Sequence, residues 1–175
     1  MKIPVRTSSH PSVTHISVNT GLDYHQLVQS FEHSVGHWDR ASGESLVKET
    51  ADWPKVEAAV AKAGEPVGLM AFTKIDQGRL TSLSGKAKRC TLYLVGNPVI
   101  ANQIIDIDLR GSFYVPFRVA LHSDGGANDG ILSYDLPSSF LAALGRSELT
   151  AIGQSLDEKM DKVIANLVAV SETAQ

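Results

Sequence analysis

Two arms of alternating apolar and polar residues, joined by a loop rich in glycine, aspartate and asparagine, constrain the fold most strongly. They extend from Phe113 to Leu136, with the loop at residues 123–129. This pattern is typical of a β-hairpin with a longer connection. The alternation in the first arm indicates a strand that packs on a core with one face only. The apolar face should hold Phe113, Val115, Phe117, Val119 and Leu121, and the other face Tyr114, Pro116, Arg118, Ala120 and His122.

The second arm determines the register of the hairpin. A shift by one residue would exchange the two faces of a strand, so the types of side chain select the pairing. Placing Val119 opposite Tyr134 keeps apolar side chains together along the hairpin. The same register puts Arg118 opposite Asp135 on the other face, and we expect these two side chains to form an ion pair across the strands.

The polar face of the hairpin has two interpretations. An exposed ion pair contributes only about 0–1 kcal/mol, so stability alone does not explain Arg118 and Asp135. If the face lines a pocket, the guanidinium beside Tyr114, His122 and Asp135 could hold a carboxylate or a phosphate. The alternative is a solvated sheet face with an ordinary ion pair, because most charged residues on strands face water.

The composition is that of one globular domain. The chain has 175 residues, of which 43% are hydrophobic and 20% charged, so it can bury a sizeable core. A net charge of −3 argues against nucleic acid or an anionic membrane as a partner. Aromatic residues make up 6% and do not alternate with basic ones, so we expect no surface for stacking bases.

The expected location is the cytoplasm. Cys90 is the single cysteine, so no intramolecular disulfide can form, which favours a reducing compartment. No apolar run is long enough to span a membrane, and the N-terminus has no hydrophobic signal segment. We therefore expect a soluble cytoplasmic protein without a membrane partner.

Periodicity and turn signals place the other elements. We expect a loose arm at residues 1–13, followed by a single domain at 14–175. Besides the two hairpin arms, strands are predicted at 14–19, 67–76 and 90–95. Helices are predicted at 22–38, 53–63, 98–105, 137–144 and 147–170, a polar linker at 39–50, and a basic loop at 78–89.

Two further segments offer polar groups to a site. Lys74 and Asp76 are expected on one side of the second strand, together with Met70 and Phe72. Asn97 precedes a helix that begins with proline, and it is a good N-cap; the amides of that helix could bind an anion if they open towards the pocket. A solvated strand end and a simple helix cap are the alternatives.

Metal and cofactor signals are weak. His33 and His37 have a spacing that can bind a metal from one face of a helix. No third ligand has a recognisable spacing, so a solvated helix face is the alternative, and we expect no resident metal and no cofactor. The chain also shows no serine nucleophile motif, no Walker loop and no dinucleotide-binding fingerprint.

Four segments in a fixed order resemble the domain of unknown function 302 family. They are FTKID at 72–76, YLVGNP at 93–98, YVPFRVALHSDGG at 114–126 and ILSYDLP at 131–137. The resemblance covers roughly residues 67–145. It implies an α+β fold, a single domain in which an antiparallel sheet of about five strands has helices packed on one face, often as a dimer. It implies no established activity, and where the family tends to have a histidine after the Ile–Asp pair this chain has Gln77.

Two functional hypotheses follow. In the first, the domain binds a small anionic or polar molecule, with Arg118 as the anchor and Asp135 orienting it. The other ligand-binding candidates are Tyr114, Lys74, Asn97 and Tyr134. If the protein is an enzyme, His122 or Asp76 is the candidate general acid or base in a cofactor-independent isomerisation, elimination or hydrolysis.

In the second hypothesis the protein is a non-catalytic homodimeric scaffold whose outward sheet face is covered by another subunit. A concave cavity with Arg118 at its wall supports the first hypothesis, and a flat face closed by a second chain supports the other.

Overall fold

A computed structural model describes residues 6, 8, 10–49 and 52–173. Within these residues the chain forms seven helices and six strands. The strands are β1 (His15–Asn19), β2 (Gly36–His37), β3 (Met70–Asp76), β4 (Arg89–Gly96), β5 (Phe117–Ser123) and β6 (Ile131–Asp135). The helices are α1 (Tyr24–Ser34), α2 (Arg40–Lys48), α3 (Trp53–Ala63), α4 (Gln77–Thr81), α5 (Pro98–Ile107), α6 (Pro137–Ala142) and α7 (Ser147–Thr173). Most of the expected N-terminal arm lies outside the described residues, and residues 10–14 have no regular structure.

The strands form one sheet in the order β1-β6-β5-β4-β3-β2. All neighbouring strands are antiparallel except β2 and β3, which are parallel. The α+β fold is therefore confirmed, with six strands instead of about five. The additional strand is β2, and its two residues are too short for an alternation pattern to reveal. No helix in the described part of the chain has the length and apolar character needed to cross a bilayer.

The register of the hairpin is confirmed. Val119 pairs with Tyr134 and Leu121 with Leu132, as the side-chain types predict. This register places the apolar residues of both arms on the side where the helices pack, and it leaves Arg118 on the opposite side.

The two faces of the sheet differ in their cover. We use "covered face" for the strand residues that pack against the helices and "open face" for those on the other side. The covered face contributes Tyr93, Val95, Val119, Leu121, Leu132 and Tyr134 to the buried core. Phe31 of α1, together with Leu156 and Met160 of α7, packs from the helix side, as predicted for the last long helix. The side chain of Val170, the last residue predicted for the apolar stripe of α7, lies outside the described residues.

The first arm begins later than predicted. Residues Leu109–Phe113 form a 3₁₀ turn, and β5 starts only at Phe117. The carboxylate of Asp108 accepts a hydrogen bond from the Arg110 amide and caps this turn. Pro116 cannot donate to a strand ladder, and β5 begins directly after it. Because Phe113 belongs to the turn and not to the strand, it is 86% exposed instead of facing the core.

The predicted polar linker at 39–50 is wrong, because residues 40–48 form α2; Thr50 lies outside the described residues. Polar pairs one turn apart support this helix, since Arg40 contacts Glu44 at 2.9 Å and Ser45 donates to Glu49 at 2.9 Å. Glycine has a poor helix propensity. A Cβ on Gly43 would lie only 3.0 Å from the Trp38 indole nitrogen, so close packing accounts for that residue.

Two other boundaries differ from the prediction. The helix predicted at 22–38 ends at Ser34, because Val35 takes an extended conformation and the chain enters β2. The segment predicted as a basic loop at 78–89 contains most of α4, whose first turn Asp76 caps. The N-caps Asp52 of α3 and Asn97 of α5 are confirmed.

A β-bulge corrects the prediction for β3. Ala71 pairs with Val95 and Thr73 with Leu94, so Phe72 is an additional residue in the strand. The bulge reverses the alternation after this point. Met70 and Lys74 therefore lie on opposite faces and do not share one side.

Candidate functional site

The largest group of predicted site residues meets in a cavity of about 400 Å³ at one end of the open face. Its walls are mainly apolar and aromatic, and two charged residues stand among them. The lining comprises Val13, Leu94, Phe113, Tyr114, Pro116, Phe117, Arg118, Asp135 and Phe140. The structure thus brings together three of the predicted residues, Tyr114, Arg118 and Asp135.

Stacked rings hold Tyr114 in the wall. Its ring lies 5.4 Å from that of Phe140, with an angle of 8° between the planes. Phe140 belongs to α6 and is only 6% exposed, so it forms a fixed support. Phe113 meets Tyr114 edge-on at 5.2 Å. Such aromatic pairs contribute about 0.5–1.5 kcal/mol beyond their buried area, which fixes one side of the cavity.

Arg118 does not form the predicted ion pair with Asp135. The ladder between β5 and β6 ends at Val119 and Tyr134, whereas β1 places His15 directly opposite Asp135. His15 Nδ1 consequently lies 2.9 Å from Asp135 Oδ1. The guanidinium of Arg118 has no hydrogen bond or ion pair with any side chain in the described part of the chain.

A row of hydrogen-bonded polar side chains crosses the open face from Asp135 to β5. We call it the polar row, and it consists of Asp135, His15, Ser17, Ser133 and His122. Ser17 Oγ lies 3.4 Å from His15 Nε2 and 2.9 Å from Ser133 Oγ. His122 Nε2 completes the row at 3.2 Å from Ser133 Oγ. The register accounts for the row, because His15 pairs with Asp135 and Ser17 with Ser133.

His15 and Ser17 were not among the predicted site residues. The segment HISVN reads as a short strand, and its alternation places His15 and Ser17 on one face. Nothing in the sequence says that this strand pairs with β6, more than a hundred residues later. The partners Ser133 and Asp135 therefore become visible only once the sheet order is known.

The other five of the eight predicted residues, Lys74, Asp76, Asn97, His122 and Tyr134, do not line the cavity. Lys74, Asp76 and Tyr134 belong to the covered face, where their strand partners are Tyr93, Thr91 and Val119. Asp76 and His122, the two candidates for acid–base work, are therefore on opposite faces of the sheet.

Asn97 lies beside a different cavity and caps α5. Its carbonyl oxygen accepts from the Val99 and Ile100 amides at 2.9 and 3.2 Å, and its amide donates to the Gly68 carbonyl at 3.0 Å. The side chain is thus occupied by structural hydrogen bonds.

Tyr134 is buried beneath α7 and is 3% exposed. Burial, with the charges of Asp161 and Asp157 nearby, raises the pKa of Tyr134 to about 12. The phenol is therefore neutral at physiological pH. Tyr134 belongs to the core and does not line the cavity.

A cluster on the covered face joins Lys74 to two residues that the sequence did not single out. Glu32 Oε1 of α1 lies 2.7 Å from Lys74 Nζ and accepts a hydrogen bond from the Tyr93 hydroxyl at 2.8 Å. Burial alone would raise the pKa of Glu32, but the hydrogen bonds from Lys74 and Tyr93 outweigh it, so the pKa falls below its usual 4.5. Burial and the neighbouring Glu32 raise the pKa of Tyr93.

The two histidines considered for metal binding are separated by the end of α1. His33 is helical and its Nδ1 is 2.7 Å from the Gln29 carbonyl oxygen, whereas His37 belongs to β2. They do not share the helix face that the spacing suggested. Over the described ranges, no three or more histidine, cysteine, aspartate or glutamate side chains group in a way that could hold a metal ion.

Comparison with known proteins gives one family and one fold. The sequence profile of the family described as "Domain of unknown function DUF302" matches residues 46–167. The structure resembles the crystal structure of an uncharacterized conserved protein DUF302 from Bacillus stearothermophilus with a TM-score of 0.62 and 11% sequence identity. The similarity covers 87% of this chain and 97% of the other. None of the curated proteins matches the chain. Because the family profile matches well over half of the sequence, the chain belongs to the DUF302 family.

Proposed function

We propose that this protein binds a small carboxylate with an apolar or aromatic body in the cavity around Arg118. One observation carries the proposal: the Arg118 guanidinium, which has no side-chain partner among the described residues, faces the same cavity of about 400 Å³ as the stacked rings of Tyr114 and Phe140. Ligand sites are commonly apolar cavities of this size with a few polar groups that fix the orientation of the ligand.

The guanidinium of Arg118, unpaired within the part of the chain that the structure describes, favours an anionic group in the ligand. Arginine presents a planar fork of donors that matches a carboxylate, and such charge-assisted bonds are about twice as strong as neutral ones. A carboxylate bound here would displace no side chain of the described residues from Arg118, whereas at Lys74 it would have to compete with Glu32.

The aromatic wall supports an apolar body. Leu94, Pro116 and Phe117 line the cavity together with the stacked rings. A flat ring could stack on Tyr114 or contact the exposed face of Phe113. Asp135 restricts the class further, because its carboxylate repels a second negative charge and accepts a hydrogen bond from a hydroxyl or ammonium group of the ligand.

Isothermal titration calorimetry with benzoate and phenylacetate tests the proposal. Wild type should bind, and Arg118→Ala should bind about 10- to 150-fold more weakly, because a hydrogen bond to a charged group contributes about 1.5–3 kcal/mol. At ten times Kd the ligand should stabilise the wild type by about 1.4 kcal/mol, which for a chain of this size raises Tm by about 3–6 °C.

Two controls define the interaction. Arg79→Ala removes an exposed arginine of α4 and should leave binding unchanged. Benzyl alcohol has the ring without the carboxylate and should bind weakly to wild type and to Arg118→Ala alike. Equal binding of benzoate by wild type and Arg118→Ala, or no binding by either, would refute the proposal.

Self-association is a second candidate, favoured by the apolar side chains of the open face. Leu92, Leu94 and Ala120 are only partly buried, and Ile75 is 44% exposed. A second copy placed on this face by a two-fold axis would cover them symmetrically. Light scattering coupled to size-exclusion chromatography should then show a dimer that Leu92→Glu dissociates, and a monomer at all concentrations would remove this candidate.

A further inference from the structure

We propose that Ser17, His15 and Asp135 form a nucleophilic triad that transfers the acyl group of small activated esters. Ser17 Oγ lies 3.4 Å from His15 Nε2, and His15 Nδ1 lies 2.9 Å from Asp135 Oδ1. A serine, a histidine and a carboxylate linked in this order constitute a triad, which is recognised by its geometry and not by sequence position. The inference goes beyond the proposed carboxylate binding and does not require it.

The hydrogen bonds determine which nitrogen of His15 carries the proton. An ionised carboxylate can only accept, so His15 Nδ1 must donate to Asp135. In the neutral ring Nε2 then has a free lone pair and accepts from the hydroxyl of Ser17. This is the tautomer that a general base for Ser17 needs, and Asp135 maintains it.

The other hydrogen bonds of the polar row also run from donor to acceptor towards His15. Ser17 donates to His15, so its oxygen accepts from the hydroxyl of Ser133 at 2.9 Å. Ser133 in turn accepts from His122 Nε2 at 3.2 Å. The Ser133 hydroxyl is therefore aimed at the atom that would attack. From there it could donate to the negative oxygen that develops on the acyl carbon, as side-chain donors do in oxyanion holes.

Ester cleavage at this site needs no reagent other than the ester and water. Ser17 Oγ bonds to the carbonyl carbon while its proton passes to His15 Nε2. The bond between that carbon and the alcohol oxygen breaks, and the leaving oxygen takes the proton from His15. A water molecule then gives a proton to His15 and attacks the acyl carbon. The bond between that carbon and Ser17 Oγ breaks, Ser17 Oγ takes the proton back from His15, and the carboxylic acid leaves.

The site is accessible to such a substrate. Ser17 and His15 are exposed, and β1 is an edge strand of the sheet. Asp135 borders the aromatic cavity, so the acyl group of a bound ester has an apolar surface next to the triad. Small acyl esters with a good leaving group are the substrate class that suits an open site of this kind.

Acetylation by p-nitrophenyl acetate tests the inference. Full-length wild type should release p-nitrophenol with an initial burst, and peptide mass spectrometry should find an acetyl group on Ser17. Ser17→Ala should abolish both signals. His15→Gln should lower the rate about 100-fold or more, which is the size of a general-base contribution, and Ser133→Ala should lower it about 100-fold.

Ser112→Ala is the matched control, because Ser112 is an exposed serine in the 3₁₀ turn outside the polar row. It should react like wild type. The absence of acetyl on Ser17 in folded wild type would overturn the inference without any variant, and so would equal acetylation in wild type and His15→Gln. The ester carries no carboxylate, so failure here is distinguishable from failure of ligand binding at Arg118.

Discussion

The two faces of the sheet use the same strands but treat their polar groups differently. On the covered face, the hydroxyl of Tyr93 is buried under α1 and donates to Glu32, which also contacts Lys74. On the open face, Arg118 has no side-chain partner in the described chain, and the polar row reaches solvent at His15. The polar groups of the covered face therefore contribute to stability, whereas those of the open face are the ones that we propose bind a ligand.

The largest contrast should appear when a leucine is truncated on each face. Leu121 is fully buried on the covered face, and Leu121→Ala should lower the free energy of unfolding by about 2–5 kcal/mol because it leaves a cavity. Leu92 of the open face is only partly buried, so Leu92→Ala should cost half of this or less. Urea unfolding measures both, and equal losses would contradict the assignment of the faces.

Removal of the Tyr93 hydroxyl tests the polar cluster of the covered face. Tyr93→Phe should lower the free energy of unfolding by about 1–2 kcal/mol, since it removes a hydrogen bond to a charged group. Tyr24→Phe is the matched control, because its hydroxyl lies 2.7 Å from Thr91, an uncharged partner. Its cost should be smaller, about 0.5–1 kcal/mol. A larger loss for Tyr24→Phe would show that the charge of Glu32 does not strengthen the hydrogen bond from Tyr93.

The cluster of Glu32, Lys74 and Tyr93 also makes us expect that the free energy of unfolding depends on pH. The pKa of Glu32 is lowered below its usual 4.5 in the folded protein, so its carboxylate stabilises the fold above that pH. This contribution should disappear as the pH falls below 4.5 through the lowered pKa. Glu32 is partly exposed, so we expect less than about 1 kcal/mol.

Urea unfolding of wild type and Glu32→Gln at pH 7 and pH 3 measures the effect. The difference between the two proteins should shrink at the lower pH. A difference that grows as the pH falls would mean that the pKa of Glu32 is raised instead.

The smallest effect on stability is expected on the open face. Arg118→Ala should change the free energy of unfolding by no more than about 0.5 kcal/mol, because the guanidinium is exposed and pairs with no side chain over the described ranges. His15→Ala should cost under about 1 kcal/mol, since the His15–Asp135 pair is exposed on both sides. A loss above about 2 kcal/mol for Arg118→Ala would show that this residue belongs to the fold and not to a site.

Period-two alternation predicted the hairpin well. The pairing of Val119 with Tyr134 follows from side-chain type alone, because a one-residue slip would bury polar groups. The caps Asp52 and Asn97 were equally predictable, since an Asp or Asn one or two residues before a proline is a signal for the start of a helix. These features depend on neighbours in the sequence or across a short hairpin.

The features that escaped prediction depend on distant contacts or on a single additional residue. The bulge at Phe72 changes the face of Lys74, and no local signal marks it. In place of the ion pair expected between Arg118 and Asp135, Asp135 has a hydrogen bond with His15, which lies 120 residues away in the chain. The sequence of the hairpin thus indicated three residues that line the cavity, Tyr114, Arg118 and Asp135, but the side chains that contact Asp135 depend on how β1 joins the sheet.

Chemical-shift mapping by NMR, with benzoate added to the isotope-labelled protein, tests the division between the two faces most directly. We expect the amide signals of Tyr114, Arg118, Asp135 and their neighbours around the cavity to shift, and those of Lys74 and Tyr93 to stay in place. Shifts centred on Lys74 and Tyr93 would contradict this division of the faces, as would a spectrum that benzoate leaves unchanged.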